Sequence, residues 1–165
     1  MQQLDYLLAR YKSKGVLIDT NLLLLYLVGM YDPQRIPKFK RTMIFAIEDF
    51  FTLLKFFEYF KEVITTPNIL TEVNSLANQL PDNIKVAFYP KFAEQIANLQ
   101  EHYIESTKVS FTPHFLKLGL TDSGILSLAQ DQYLVLTDDF PLAGRLEKQG
   151  IDVINFNHIR TMNWS

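Results

Sequence analysis

The chain has no cysteine, and it has only three histidines among its 165 residues. Without thiols there can be no disulfide, no thiolate metal site and no cysteine nucleophile. The histidines, His102, His114 and His158, are scattered and show no ligand spacing. Any metal site would therefore depend mainly on oxygen ligands.

The chain also lacks a long uncharged apolar run and a strong net charge. The leucine-rich segment 22–28 is too short to span a bilayer, which takes about 20 apolar residues, and the Phe-rich segment 43–60 contains charged residues. The polar N-terminal segment 1–14 does not resemble a signal peptide. A net charge of −2 argues weakly against an ordinary DNA-binding module without excluding a nuclease with an acidic site. We expect a cytoplasmic protein without a membrane segment.

Short apolar runs alternating with helical patterns predict one α/β domain, residues 1–165, with a mainly parallel sheet and a core over about 15–156. Strands are predicted at 16–19, 63–66, 133–136 and 153–156. Helices are predicted at 20–29, 43–60, 67–80, 84–105, 122–130 and 141–149. In the helix 43–60, a narrow polar stripe comprises Asp49, Thr52, Lys55 and Glu58, and the Phe residues indicate core, with a dimer or antitoxin groove as the alternative.

Several carboxylates occur where the hydrophobic pattern predicts burial. Asp19 follows the first strand, Asp138 and Asp139 follow the strand 133–136, and Glu72 and Asp122 fall on the apolar faces of predicted helices. Ligands of open α/β sheets bind at the carboxyl ends of the strands. Buried charge is costly unless it is paired or bound to a metal. Converging acids would repel each other, so the pattern predicts a divalent cation.

Each acid taken alone also has a purely structural explanation. Glu72 and Asp122 could stabilise helix N-termini, Asp19 could cap a helix, and Asp138 and Asp139 could form a turn. Their coincidence at one predicted sheet edge favours a site.

Mg²⁺ and Mn²⁺ suit such a site, because both prefer carboxylate and water oxygens. Two such ions about 4 Å apart support in-line cleavage of a phosphodiester. Hydroxyl and amide groups beside the acids could orient the carboxylates or the metal waters: Thr20, Asn21, Thr121 and Thr137.

Four segments, in order along the chain, resemble the motifs of PIN-domain nucleases, the family that includes the VapC-type toxins. They are Ile18–Asn21, Thr66–Val73, Leu118–Ala129 and Leu136–Ala143. The resemblance implies a three-layer α/β/α sandwich and Mg²⁺- or Mn²⁺-dependent hydrolysis of phosphodiesters, usually in RNA. It also implies a candidate role as the toxin of a toxin–antitoxin pair, with the antitoxin or a second copy as partner.

By this resemblance the catalytic and metal-binding acids are Asp19, Glu72, Asp122 and Asp139, with Asp138 as an alternative or helper. The chain differs from toxin members in its long segment 29–61 and in the acidic residue after Thr137. Two hypotheses follow: a metal-dependent ribonuclease with a two-metal site, or a non-catalytic RNA-binding or assembly module that keeps the acidic pocket. Candidate phosphate contacts, with solvated surface charge as the alternative, are Arg145, Lys148, Lys38, Lys40 and Arg41.

Overall fold

The computed structural model describes residues 2–162 and has at its centre a sheet of five parallel strands. In spatial order β3-β2-β1-β4-β5, the strands are β1 (Val16–Ile18), β2 (Val63–Thr65), β3 (Gln100–Glu101), β4 (Leu134–Thr137) and β5 (Val153–Asn155). Every residue of β1 and β4 is buried, because helices cover both faces of the sheet. This is why these two strands appear in the sequence as continuous apolar runs.

The helices complete a three-layer α/β/α sandwich, so the predicted fold class is confirmed. One group packs around α2, and the other packs on β4 and β5. None of the helices within residues 2–162 has the length and apolar character that a membrane crossing requires. A 3-10 helix spans Pro33–Lys38, and the α-helices are α1 (Gln2–Tyr11), α2 (Thr20–Tyr31), α3 (Ile47–Phe57), α4 (Pro67–Ala77), α5 (Asp82–Ile96), α6 (Ser106–Ser110), α7 (Phe115–Ala129), α8 (Phe140–Lys148) and α9 (Phe156–Ile159).

The strand order places a crevice beside the carboxyl end of β1. The chain proceeds from β1 to β2 and β3 on one side, and then returns to place β4 on the other side of β1. Leu17 pairs with Val135, and the amide of Asp19 donates to the carbonyl of Leu136 at 3.1 Å. The residues that follow β1 and β4 therefore lie side by side at the switch point of the sheet, where open α/β folds bind ligands.

The fifth strand was missing from the sequence-based prediction. The predicted helix 84–105 is wrong beyond Ile96, where α5 ends, and the edge strand β3 follows at Gln100–Glu101. The ladder continues with the His102 amide, which donates to the Thr65 carbonyl at 3.0 Å. Both residues of β3 are exposed and polar, so no apolar run marks the strand.

Among the helix boundaries that differ from the prediction, those of α2 and α3 have an identifiable local cause. Helix α2 does not end at Gly29 but continues to Tyr31. A Cβ at Gly29 would lie 2.2 Å from the ring of Phe50, so glycine is required there for close packing rather than for termination. Helix α3 begins at Ile47 rather than at residue 43, because turns occupy the preceding segment, where the Thr42 hydroxyl donates to the Ile36 carbonyl at 2.8 Å.

The phenylalanines of segment 43–60 are mostly core, as predicted. Phe51 is the exception, with 48% of its surface exposed, and Phe57 is half-buried. The core also includes Leu7 and Leu8 of α1, so the N-terminal segment packs against the same hydrophobic cluster as the sheet. The buried aromatic residues of the segment are Phe45, Phe50, Phe56 and Phe60.

Candidate metal centre

The four acids named from the sequence line one cleft at the carboxyl edge of the sheet. The cleft has a volume of about 210 Å³. Its walls come from the β1–α2 junction, α4, α7 and the start of α8. Segments that are remote in sequence are thus brought together in the crevice beside β1. The lining residues are Asp19, Thr20, Asn21, Glu72, Leu76, Asp122, Asp139 and Leu142.

Asp19 is the buried acid of the cleft and also caps α2. One carboxylate oxygen accepts from the Leu22 amide at 3.0 Å. The other accepts from the Thr137 hydroxyl and from the Asp138 amide, the latter at 3.2 Å. Burial, and then the charge of Asp138, raise the pKa of Asp19 to about 8, although these hydrogen bonds act in the opposite direction. The predicted helix cap is therefore confirmed for Asp19, and the same side chain also lines the cleft.

Asp122 is held at the cleft by a break in α7. Gly119 has a φ of +74°, which interrupts the helix, and Asp122 falls in the first turn of the segment that follows. A Cβ at Gly119 would meet nothing within 4 Å, so its backbone conformation, not crowding, favours glycine here. The half-buried carboxylate accepts no hydrogen bond from residues 2–162. Burial, followed by the charges of Asp139 and Glu72, raises the pKa of Asp122 to about 6.

Glu72 lies at the rim of the cleft and is exposed, so its predicted position on the apolar face of α4 is wrong. That face consists of Ile69, Val73 and Ala77, and Glu72 lies beside it. Two threonines fix the glutamate carboxylate: Thr20 donates to one oxygen at 3.0 Å, and Thr121 donates to the other at 2.6 Å. The predicted role of these threonines as carboxylate-orienting groups agrees with this geometry.

Asp139 is the member of the acidic pair that lines the cleft. One of its carboxylate oxygens accepts from the Leu142 amide at 2.9 Å and so caps α8. Its own amide donates to the Thr137 hydroxyl at 3.0 Å. Since the same hydroxyl donates to Asp19, Thr137 joins the acids at the ends of β1 and β4.

Asp138 lies behind the cleft rather than in its wall. Burial chiefly raises the pKa of its carboxyl group, and Asn21 donates to that carboxylate at 3.4 Å. The Asp138 carbonyl accepts from the side-chain amide of Asn157 at 2.7 Å. Asn157 was not identified from the sequence, although the polar pair Asn155 and Asn157 at the end of the last strand was a usable signal.

The candidate RNA-contacting residues divide into two groups. Arg145 acts on the acids, because its charge lowers the pKa of Asp122, and it lines a second cavity together with Lys148. The second group, Lys38, Lys40 and Arg41, lines neither cavity. The Arg41 guanidinium instead donates to the Gln79 side chain at 2.9 Å.

The donor set of the cleft suits a hard divalent cation. It offers carboxylate, hydroxyl and amide oxygens without sulfur or imidazole. Burial and mutual repulsion raise the pKa values of Asp19 and Asp122, and a bound cation relieves both effects. Within residues 2–162, no three acidic or histidine side chains already form a ligand cluster.

No protein-family model and no curated protein sequence matches this chain. The resemblance to PIN-domain nucleases therefore depends on the four short motifs, and the grouping of the acids depends on the fold.

Proposed function

We propose that the protein is a Mg²⁺- or Mn²⁺-dependent ribonuclease. The main support is that four carboxylates from separate segments line one cleft at the switch point of the sheet. The raised pKa values of Asp19 and Asp122 add to it, because burial and neighbouring acids raise both, even though the charge of Arg145 lowers that of Asp122. RNA is proposed as substrate from the resemblance to PIN-domain nucleases. A toxin role and an antitoxin partner have the same basis.

The acids have different roles in this proposal. Asp19, Asp122 and Asp139 would hold the metal, and Glu72 would bind it or position a water. The bound metal would stabilise the charge on the attacking and leaving oxygens of the phosphodiester. Leu22 and Thr137 hold the Asp19 carboxylate, and Thr20 and Thr121 hold Glu72, so hydrogen bonds fix both acids before any substrate arrives.

A non-catalytic RNA-binding or assembly module is the second candidate. It is favoured by the structural uses that three of the acids already have. Asp19 and Asp139 cap helices, and Glu72 bridges two threonines. Asp122 has no comparable use, since it accepts no hydrogen bond from the described part of the chain. The distinction between the two functions therefore depends most on Asp122.

Thermal melting in Mn²⁺ and Mg²⁺ is the first test. A metal that binds only the folded state at 100 times its dissociation constant adds about 2.7 kcal/mol to the free energy of unfolding. We expect Tm of the wild type to rise and the Asp122→Asn variant to lose most of the rise. The matched control is Asp131→Asn, which removes an exposed acid that does not line the cleft. An equal rise in all three proteins would contradict the metal site.

Hydrolysis of RNA in Mn²⁺ is the second test. A pool of single-stranded RNAs avoids dependence on one sequence. Cleavage by the wild type that Asp122→Asn abolishes supports the ribonuclease. Metal binding without turnover of any RNA in the pool favours the non-catalytic module.

A further inference from the structure

A second cavity opens beside the acid cleft. Helices α7 and α8 contribute residues to the walls of both. Its volume is about 340 Å³. Asp122 of α7 and Leu142 of α8 line the cleft, whereas the residues preceding Asp122 in α7 and those following Leu142 in α8 line the cavity. We call this cavity the basic pocket. Its lining residues are His114, Lys117, Leu118, Arg145, Lys148 and Gln149.

The charge of the basic pocket is opposite to that of the cleft. Lys117, Arg145 and Lys148 line it, and none of them forms an ion pair with an acid of residues 2–162. No acidic residue of the described chain lines the pocket. Unpaired cations around a concave surface attract anions, because the low-dielectric walls concentrate the field.

Arg145 connects the two regions. Its side chain lines the basic pocket, and it follows Leu142, which lines the cleft, by three residues or about one turn of α8. An anion bound in the pocket would therefore lie close to a group bound at the acids. This proximity matters for a polyanionic substrate, since a cleft lined by four carboxylates repels such a chain unless positive charge lies nearby.

We infer that the basic pocket binds a phosphate of the RNA strand whose adjoining phosphodiester lies at the acid cleft. This inference rests on the proposed function. Lysine and arginine provide the usual contacts to backbone phosphates. The volume of 340 Å³ is near the lower end of the range of about 300–1,000 Å³ for ligand pockets, so it suits one nucleotide-sized group. The substrate class is thus a polynucleotide with a phosphate beyond the cleaved bond.

The phosphate is either internal to the strand or at its 5′ end, and the two sources are separable. An internal phosphate gives equal affinity for strands with a 5′-hydroxyl and a 5′-phosphate. A terminal phosphate gives tighter binding of the phosphorylated strand, and loss of the pocket removes that preference.

The test uses the Lys117→Gln/Lys148→Gln protein and a matched control. The control, Lys12→Gln/Lys61→Gln, removes two exposed lysines before β1 and β2, at the opposite edge of the sheet, where the Lys61 amide donates to the Lys12 carbonyl. Binding of a fluorescent single-stranded RNA is measured by anisotropy in EDTA, over a range of salt concentrations. We expect the pocket variant to lose affinity at least tenfold and the control less than twofold. The slope of log K against log salt should decrease by about 0.7 for each phosphate that the variant no longer neutralises.

Equal losses in both variants, or no loss in either, would overturn the pocket assignment. The Mn²⁺-induced rise in Tm is measured on the same proteins. If the pocket variant retains the rise in Tm, it is folded and its cleft is intact. Weaker RNA binding by that variant is then attributed to the loss of the pocket lysines.

Hydrolysis separates the failure of this inference from that of the proposed function. If the wild type cleaves RNA and the pocket variant has the same KM, the pocket assignment is wrong and the ribonuclease stands. If the wild type binds RNA through the pocket lysines but cleaves none in Mn²⁺, the pocket stands and the ribonuclease is wrong. A raised KM in the pocket variant, with the control unchanged, supports both.

Discussion

Asp49 and Asp19 are almost equally buried, but only Asp49 has a cation of the protein beside it. Their exposed fractions are 5% and 6%. The guanidinium of Arg160 donates to both carboxylate oxygens of Asp49, at 3.2 and 2.5 Å, and the Ala46 amide donates at 2.8 Å. For Asp19, no lysine, arginine or histidine of residues 2–162 lies within ion-pair distance.

The comparison separates a buried acid that the chain itself neutralises from one that it does not. Asp49 has its charge balanced from within the chain, so it needs nothing else. Asp19 faces the charge of Asp138, which helps to raise its pKa to about 8. The chain supplies an arginine beside Asp49 but further acids around Asp19. This difference favours binding of an external cation at Asp19.

The largest expected effect comes from breaking the balanced pair. Arg160→Ala leaves Asp49 buried without its cation and should lower the free energy of unfolding by about 3 kcal/mol. Chemical denaturation measures the change. The control is Arg10→Ala, because the Arg10–Asp152 pair is partly exposed, and exposed ion pairs contribute little to stability. Similar losses of unfolding free energy in the two variants would mean that the buried Arg160–Asp49 pair contributes no more than the partly exposed one.

Removing an acid of the cleft should affect catalysis instead of folding. Asp19→Asn or Asp122→Asn should lower kcat/KM on RNA at least about 100-fold, since even the outer partners of metal ligands typically contribute 10- to 100-fold. Steady-state cleavage in Mn²⁺ measures the loss, and circular dichroism checks the fold. Retained cleavage in both variants would remove these acids from the proposed site.

Metal affinity should depend on pH in the direction set by Asp19. Burial and Asp138 raise its pKa to about 8, so protons compete with the cation below that pH. With one proton competing at a pKa of about 8, Mn²⁺ should therefore bind about 50-fold more tightly at pH 8 than at pH 6. Calorimetry at both pH values measures the difference and the protons released. An affinity independent of pH would show that Asp19 does not contact the metal.

The smallest effect distinguishes repulsion from structural support at Asp122. Its pKa in the folded protein is raised to about 6, above the ordinary 3.8, so the stability it contributes is present below about pH 4 and is lost as pH rises through 6. This shift corresponds to about 3 kcal/mol before solvent screening, which reduces it at the half-buried site. Without metal, Asp122→Asn should thus be about 1–2 kcal/mol more stable than the wild type at pH 8 and no more stable at pH 4. Denaturant titrations at the two pH values provide the comparison. A variant that is less stable at pH 8 would indicate that the charged carboxylate stabilises the fold.

Much of the fold was predictable because the central strands are buried on both faces. Continuous apolar runs marked β1 and β4, and the acids after them were correctly placed at one sheet edge. Strand β3 was not predictable, since its two exposed polar residues are defined only by pairing with β2.

Side chains that depend on distant partners were harder to predict. Asp49 was placed on a polar stripe of α3, but its burial was not predicted, because Arg160, which makes that burial tolerable, lies 111 residues away. Glu72 was placed on the buried face because its neighbours in α4 are apolar, yet it lies one position off that face. Lys117 was missed because nothing in a sequence separates a pocket lysine from a solvated one.

The break at Gly119 has a consequence for how this molecule can diversify. It divides α7 into a first segment with Lys117 and Leu118 of the basic pocket and a second segment with Asp122 of the cleft. Since the two segments do not share one continuous helix axis, a substitution or insertion before Gly119 need not rotate Asp122. Descendants of such a chain could acquire new binding preferences in the first segment while the acid cleft is inherited unchanged.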